Sequence, residues 1–350
     1  MGRFWITALM FAVAVAAAPG AQAQCAVGSL QFENDIGIGG TDRHYTHGTR
    51  FSCISEEQAP TQIPHRVADA LSFDAFGIPM LDTGGEVRYT LALGQTMFTP
   101  EDITRYDLIS DDRPYAGWLF GTFGLVLGPR WRAHDSSAAF DRMETLEFTI
   151  GVVGPSSGAE ETQKFVHSAI GSQYPEGWHN QLKDEPGLML SYEHKWRTEQ
   201  WNLLPFSDLL QIDLMPSVGA TLGNVHTFGS AAFTFRIGSN LHSDFGPPRI
   251  RPSVAGSEYY DPGSDAGLSS YFFVSFGGRA VERNIFLDGN TFRSSHSVNK
   301  KHFVGDVQAG VVVSLWGEAR LSLTHIYRTR EFDGQDEPDQ FSAFSLSMRF

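Results

Sequence analysis

The chain has 350 residues, with 26 Lys and Arg against 40 Asp and Glu, for a net charge of −14. A nucleic-acid partner calls for a basic footprint, so this balance excludes one. Aromatic residues reach 13% and charged residues only 19%, yet after the first residues no stretch is long and apolar enough for a membrane-spanning helix, which needs about 20 apolar residues.

Residues 1–23 read as a secretory signal: Arg3 supplies the positive start, Phe4 to Ala18 the apolar run, and Ala21-Gln22-Ala23 the small residues before a cut after Ala23. Gln24 rather than a small residue precedes Cys25, so no lipid anchor is expected. Losing Arg3 takes the net charge from −14 to −15 over residues 24–350. Cys25 and Cys53 are the two cysteines. They sit at the same end of an expected first hairpin, Ser29–Asp35 out and Thr46–Ser55 back. In an oxidising compartment a disulfide is geometrically reasonable; the alternative is two buried thiols.

From there the chain alternates in segments of about ten residues, the signature of a membrane barrel. Strands are expected at 28–36, 46–56, 85–97, 115–128, 142–154, 187–198, 209–221, 228–239, 269–283, 302–315, 318–330 and 340–350. The last is the clearest, with Phe344, Leu346, Met348 and Phe350 on one face and Ser345, Ser347 and Arg349 on the other. The fold class is therefore all-β: a transmembrane antiparallel β-barrel of about 12 strands, closed so that no sheet edge meets lipid. With a periplasmic N-terminus, the connections after the odd-numbered strands are extracellular. Two of the others are long. Glu57–Gly84 has room for a short helix, and 246–267 is rich in Pro, Gly and Ser and reads as irregular.

Ala159–Gly171 is the helical candidate, in an extracellular loop, with Phe165, Val166, Ala169 and Ile170 on one side and His167 among its polar residues. Three outward loops hold the residues that could do chemistry, and loops on a rigid sheet are where sites are built. Asp35, with Asn34 and Thr46 nearby, offers oxygen ligands suited to Ca²⁺ or Mg²⁺ rather than Zn²⁺, although Asn34-Asp35 is also ordinary turn chemistry. His167 can take a proton from water near neutral pH. Arg105 and Arg113 can fork onto phosphate, although Arg113-Pro-Tyr also reads as the start of a strand. His44 and His47 read as exposed loop histidines. Trp178 fits the aromatic belt at a membrane interface, and Trp178–Glu185 either binds substrate or staples the helix to the rim. No serine elbow, His-Glu-x-x-His, P-loop or EF-hand pattern is present.

Asn34-Asp35, Thr41–Gly48, Asp112–Trp118, Gly151–Pro155, Gln163–His167 and the Gly-Trp-His-Asn-Gln-Leu run ending at Leu182 together resemble the outer-membrane lipid A 3′-O-deacylase family (LpxR type). The resemblance implies a twelve-stranded barrel acting as a calcium-dependent esterase that removes the 3′-linked acyloxyacyl group of lipid A. It places the site between barrel wall and loop helix. His167 matches the general base, Asn34, Asp35, Thr46 and Gln163 match the other catalytic positions, and Arg105 lies near a basic residue that meets substrate. Asp35 and Thr46 are then the expected calcium ligands. The acidic residue that follows the helix in some members is replaced here by Ser172-Gln173. The expected setting is the bacterial outer membrane, with the site facing outward, lipid A or lipopolysaccharide as substrate, and a monomer as the working form. Two other readings are an outer-membrane phospholipase and a non-enzymatic porin-like barrel.

Overall fold

The computed structural model describes residues 25–35, 44–75, 78–81, 85–128, 140–204, 207–250, 252, 257, 259–260 and 267–350. The segment read as a signal peptide and the loop residues 41–43 lie outside them.

Twelve long strands close into one barrel: β1 (Val27–Asn34), β2 (His44–Ile54), β3 (Val87–Thr99), β4 (Ala116–Leu127), β5 (Phe140–Val153), β6 (Glu185–Thr198), β7 (Ser207–Gly223), β8 (His226–Gly238), β9 (Leu268–Asn284), β10 (Phe303–Leu315), β11 (Ala319–Arg328) and β12 (Asp339–Arg349). Each pairs antiparallel with its neighbour. β12 returns to β1 in the register Val27↔Arg349 to Asn34↔Ser342, which closes the ring. A short strand, Trp201–Leu204, adds a thirteenth member against the start of β7. All twelve barrel strands fall where the alternation places them. Cys25 and Cys53 are joined in a disulfide across the first hairpin, Cα–Cα 5.6 Å. Among the described residues three α-helices accompany the strands: α1 (Ile63–Leu71), α2 (Ala159–Ile170) and α3 (Ile285–Asp288). None among the described residues is long and apolar enough to cross a membrane.

Alternation sorts the side chains. Leu91, Phe123, Phe148, Leu190, Phe233 and Phe344 stand exposed on the outer face, as lipid contact requires. The inner face is polar and pairs hydroxyls across strands: Ser29 with Ser347 at 2.8 Å, Thr234 with Ser275 at 2.7 Å, and Ser191 with Thr221 at 2.9 Å.

The lumen is filled from both ends. At the α2 end, α3 sits inside the mouth, with Phe286 stacked on Phe98 at 4.0 Å and clustered with Tyr45, Trp118 and Phe120. From the other end the β8–β9 connection, the irregular insert, turns into the barrel as a plug. Asp244, fully buried, accepts hydrogen bonds from Arg236 (2.7 Å), Arg320 (2.9 Å) and Tyr271 (2.9 Å) on three inner strand faces. Further along, Arg249 donates to Glu33 at 2.7 Å and to Gln308 at 2.8 Å, and Ile250 reaches the aromatic cluster. The length of this connection is thus explained by its fill of the interior.

Candidate active site

The site is built on the outer face of the wall at the α2 end of β1–β4. On β1, Glu33 points inward to the plug, so Asn34 points outward. β2 carries a register shift between Tyr45 and His47. Tyr45 packs inward on Phe98 and Phe341, while His47 lies edge-on to the outward Phe32. Thr46 is the extra residue of this bulge, a device that re-aims a side chain. Its hydroxyl shares a 2.7 Å hydrogen bond with that of Thr99, and its carbonyl accepts from Asn34 Nδ2 at 2.8 Å. Asp35, Thr46 and Thr99 are all buried.

Two residues back along β3, Met97 belongs to a second cluster with Ile103, Tyr115, Ala159 and Trp178. Two residues further, Gln95 pins the helix: its Nε2 donates to the Ser157 carbonyl at 2.7 Å and its Oε1 accepts from Thr162 at 2.9 Å. Gln95, Met97 and Thr99 share one face of the strand, so the Asn34–Thr46–Thr99 group and the α2 docking cluster are about 13 Å apart end to end at the usual strand rise. Gly117 on the neighbouring strand lets α2 approach, because a Cβ there would run into Ser157 and Ala159. Gly158 (φ 70°) and Gly171 (φ 72°) bound the helix, both in the left-handed conformation that favours glycine.

α2 lies with its faces inverted relative to a soluble protein. Ala159, Thr162, Gln163 and His167 are its buried residues, whereas Phe165, Val166 and Ile170 are exposed. The apolar side read from the sequence therefore faces away from the wall, and the polar side faces in. His167 Nδ1 donates to the Gln173 carbonyl, which selects the tautomer with Nε2 as the basic nitrogen. Gln163 Oε1 accepts from Trp178 Nε1 at 2.7 Å, which turns the amide nitrogen the other way. That nitrogen is buried with no acceptor among the described residues. Lys164, also on α2, is held above its ordinary pKa by a hydrogen bond to Glu160 at 2.6 Å.

Several expected residues lie elsewhere than the sequence reading placed them. Arg113 is fully buried over the rings of Phe98 and Phe332 and 3.4 Å from Glu331, and it lines one pocket together with Arg105. His44 is not an exposed loop residue but buried at the start of β2, within 2.5 Å of Asp339, and His47 is within the same strand, half-buried. Trp178 is buried against Tyr115, so it staples the helix instead of standing in an interfacial belt. Arg105 is exposed on the β3–β4 loop, beside Pro100, Tyr115 and Asn180. Sequence reasoning missed Thr99 and Gln95. Strand parity alone could have marked them, since both share the outward face of Met97.

No cluster of three or more His, Cys, Asp or Glu capable of holding a metal occurs among the described residues. The Asp35 carboxylate and the buried Thr46 and Thr99 hydroxyls are oxygen donors, the type that suits Ca²⁺ and not the nitrogen and sulfur preference of Zn²⁺.

Comparison with known proteins gives one family model, described as outer membrane protein LpxR, which matches residues 4–350. Among solved structures, LpxR from Salmonella typhimurium superposes with a TM-score of 0.69 at 16% identity, covering 93% of this chain and 100% of that one. That likeness shows the shared fold. The beta domain of the Bordetella autotransporter Brka (TM-score 0.41, 9% identity, 94% of this chain and 100% of that one) is a more distant match. The KdgM porin (0.37, 4%, 93% and 99%) is likewise distant. No curated protein sequence matches the chain.

Proposed function

The chain belongs to the LpxR family of outer membrane proteins, and from that premise we propose that it is a calcium-dependent esterase that removes the 3′-linked acyloxyacyl group of lipid A at the outer surface of the outer membrane. The observation that carries this reading is the inverted helix. α2 turns Gln163 and His167 into the outer wall of the barrel and leaves Phe165, Val166 and Ile170 outward. A reactive group between the outer wall and a helix with an apolar outer flank is reached from the lipid, not from the lumen.

In the proposed mechanism His167 Nε2 takes the proton from a water that attacks the ester carbonyl directly. The Gln163 amide nitrogen, already buried and turned by Trp178, donates to the oxyanion as it forms. Collapse of the tetrahedral centre breaks the acyl C–O bond, and the proton on His167 passes to the departing sugar oxygen. Asp35 and Thr46 would hold calcium, which when bound would supply Lewis-acid polarisation of the carbonyl. Asn34 orients this corner through the Thr46 carbonyl. Arg105, exposed on the rim, meets a phosphate of the substrate. A closed single-chain sheet with a filled lumen supports a monomeric enzyme over a pore.

The test is mass spectrometry of lipid A from cells with and without expression of the chain, alongside His167→Ala. Loss of the 3′-acyloxyacyl mass is expected with the wild type and at least about 100-fold slower release with the variant, the scale of a lost general base. The variant's heat-modifiable gel migration should be unchanged. Unaltered lipid A under wild-type expression would rule the activity out.

A further inference from the structure

The β2–β3 connection leaves the barrel at the end opposite the site and folds back on the outside of the wall. α1 buries Ala68 in a cluster with Leu81, Val87, Leu125 and Leu127. Val87 shares its strand face with the exposed Leu91, and Leu125 and Leu127 share theirs with the exposed Phe123. The helix therefore lies directly beyond the outward apolar band, on the outer face of β3 and β4.

Its sequence is amphipathic sideways. At about 100° per residue, with Ala68 against the wall, Leu71, Val67 and Ile63 come round on one flank and His65 and Asp69 on the other. The apolar flank is open: Ile63 is 75% exposed, Val67 38%, Leu71 45%, and Phe73, just past the helix, 57%. On the polar flank His65 and Asp69 are 3.2 Å apart, and Arg66 is exposed between the flanks. Such a row in continuity with a lipid-facing surface is costly in water and favoured at a membrane boundary.

The spacing to α2 points the same way. α1 and α2 dock on the same strand pair, at Val87 and at Met97 on β3. That separation is about 33 Å along the strand, or about 25 Å along the barrel axis at a tilt near 40°, which equals the height of the apolar band of such barrels. The two helices bracket one membrane thickness.

We propose that α1 is an interfacial anchor: its Ile63–Val67–Leu71 flank, continued by Phe73, seats in the acyl boundary of the leaflet opposite the site, with Arg66 and His65 at the phosphate level. This rests on the reading of the chain as an outer-membrane barrel; with the site facing outward, the leaflet is the inner, phospholipid one. By fixing the depth of the barrel, α1 sets the height of α2 in the other leaflet.

The experiment uses single cysteines, with the native disulfide intact, at Ile63, Val67, Leu71, Arg66, Asp69 and, as the barrel control, Phe123. Each carries an environment-sensitive nitrobenzoxadiazole label in phosphatidylethanolamine–phosphatidylglycerol vesicles doped with chain-brominated lipid, and gel migration confirms folding. Labels at positions 63, 67 and 71 should be quenched at least about twofold more than those at 66 and 69, approaching position 123. Quenching at 123 with none at 63, 67 and 71 would overturn the anchor while leaving the barrel in the membrane. No quenching at any position would overturn both readings. A blue shift at 63, 67 and 71 without quenching would assign the flank to a protein partner such as a second copy, and so also refute the anchor.

Discussion

Asp244→Ala tests what keeps the lumen filled. Asp244 accepts from Arg236 Nη1 at 2.7 Å, Arg320 Nη1 at 2.9 Å, Tyr271 Oη at 2.9 Å and the Gly246 amide at 2.8 Å. Its loss falls unevenly on the two arginines. Arg236 keeps Asp213, at 2.9 and 2.5 Å, and the Leu241 carbonyl at 2.6 Å. Arg320 keeps the Gly246 carbonyl at 3.4 Å and the face of Tyr260 at 4.9 Å, and its Nε is buried with no acceptor among the described residues. The variant thus leaves one guanidinium charged and nearly uncompensated, and breaking one side of a buried pair costs about 3–5 kcal/mol. That is a large part of an ordinary folding stability of about 5–15 kcal/mol. The cheapest relief is for the plug to loosen and admit water to Arg320. Urea titration of the barrel in vesicles, followed by tryptophan fluorescence, should therefore show a destabilisation of that size, and planar-bilayer recordings should show flickering conductance absent from the wild type. Asp244→Ala combined with Arg320→Met should recover most of the loss, because it removes the stranded charge together with its partner. A single variant within about 1 kcal/mol of wild type and electrically silent would refute the assignment of the plug's anchorage to this network.

Other substitutions probe the site. Gly117→Val should push α2 off the wall and lower lipid A ester release about 100-fold or more while gel migration is unchanged, since small misplacements of a reactive group are costly. Trp178→Phe keeps the ring against Tyr115 but removes the donor to Gln163; the loss of about 1 kcal/mol of orientation should lower kcat about fivefold with KM little changed. Glu331 lies in the loop between β11 and β12, where burial raises its pKa but Arg328, Arg113 and Arg279 outweigh that and hold it below the ordinary carboxylate value. Its contribution is therefore present above the unfolded pKa of about 4.3 and lost as pH falls through the lower folded value. Glu331→Gln should cost about 1–3 kcal/mol at neutral pH, and urea titrations below pH 4 should show a smaller deficit against wild type.

The strands were legible from residue order because alternation is a local property. In β12, Phe344 and Met348 face out and Ser345 and Ser347 face in whatever the rest of the chain does. The helix between Gly158 and Gly171 was likewise a local pattern, whereas the first hairpin put Cys25 and Cys53 at one end without deciding between the disulfide that forms and two thiols. The helix's orientation was not. In a soluble protein Phe165, Val166 and Ile170 would face the core, and only the position of α2 outside a lipid-facing wall reverses that.

What required the tertiary structure is every choice of side and partner. The bulge between Tyr45 and His47 sends Thr46 outward to Thr99, a partner across the sheet that parity could suggest but only strand pairing selects. Arg105 and Arg113 look alike as sequence, yet one is exposed on the rim and the other buried on Glu331, more than two hundred positions away. The irregular insert gained a role only when Asp244 met Arg236 and Arg320 across a closed lumen. Residue order by itself determined which strands exist and which residues of a strand share a face. Ring closure decided which of those side chains meet, because it brings together charges that no local period relates.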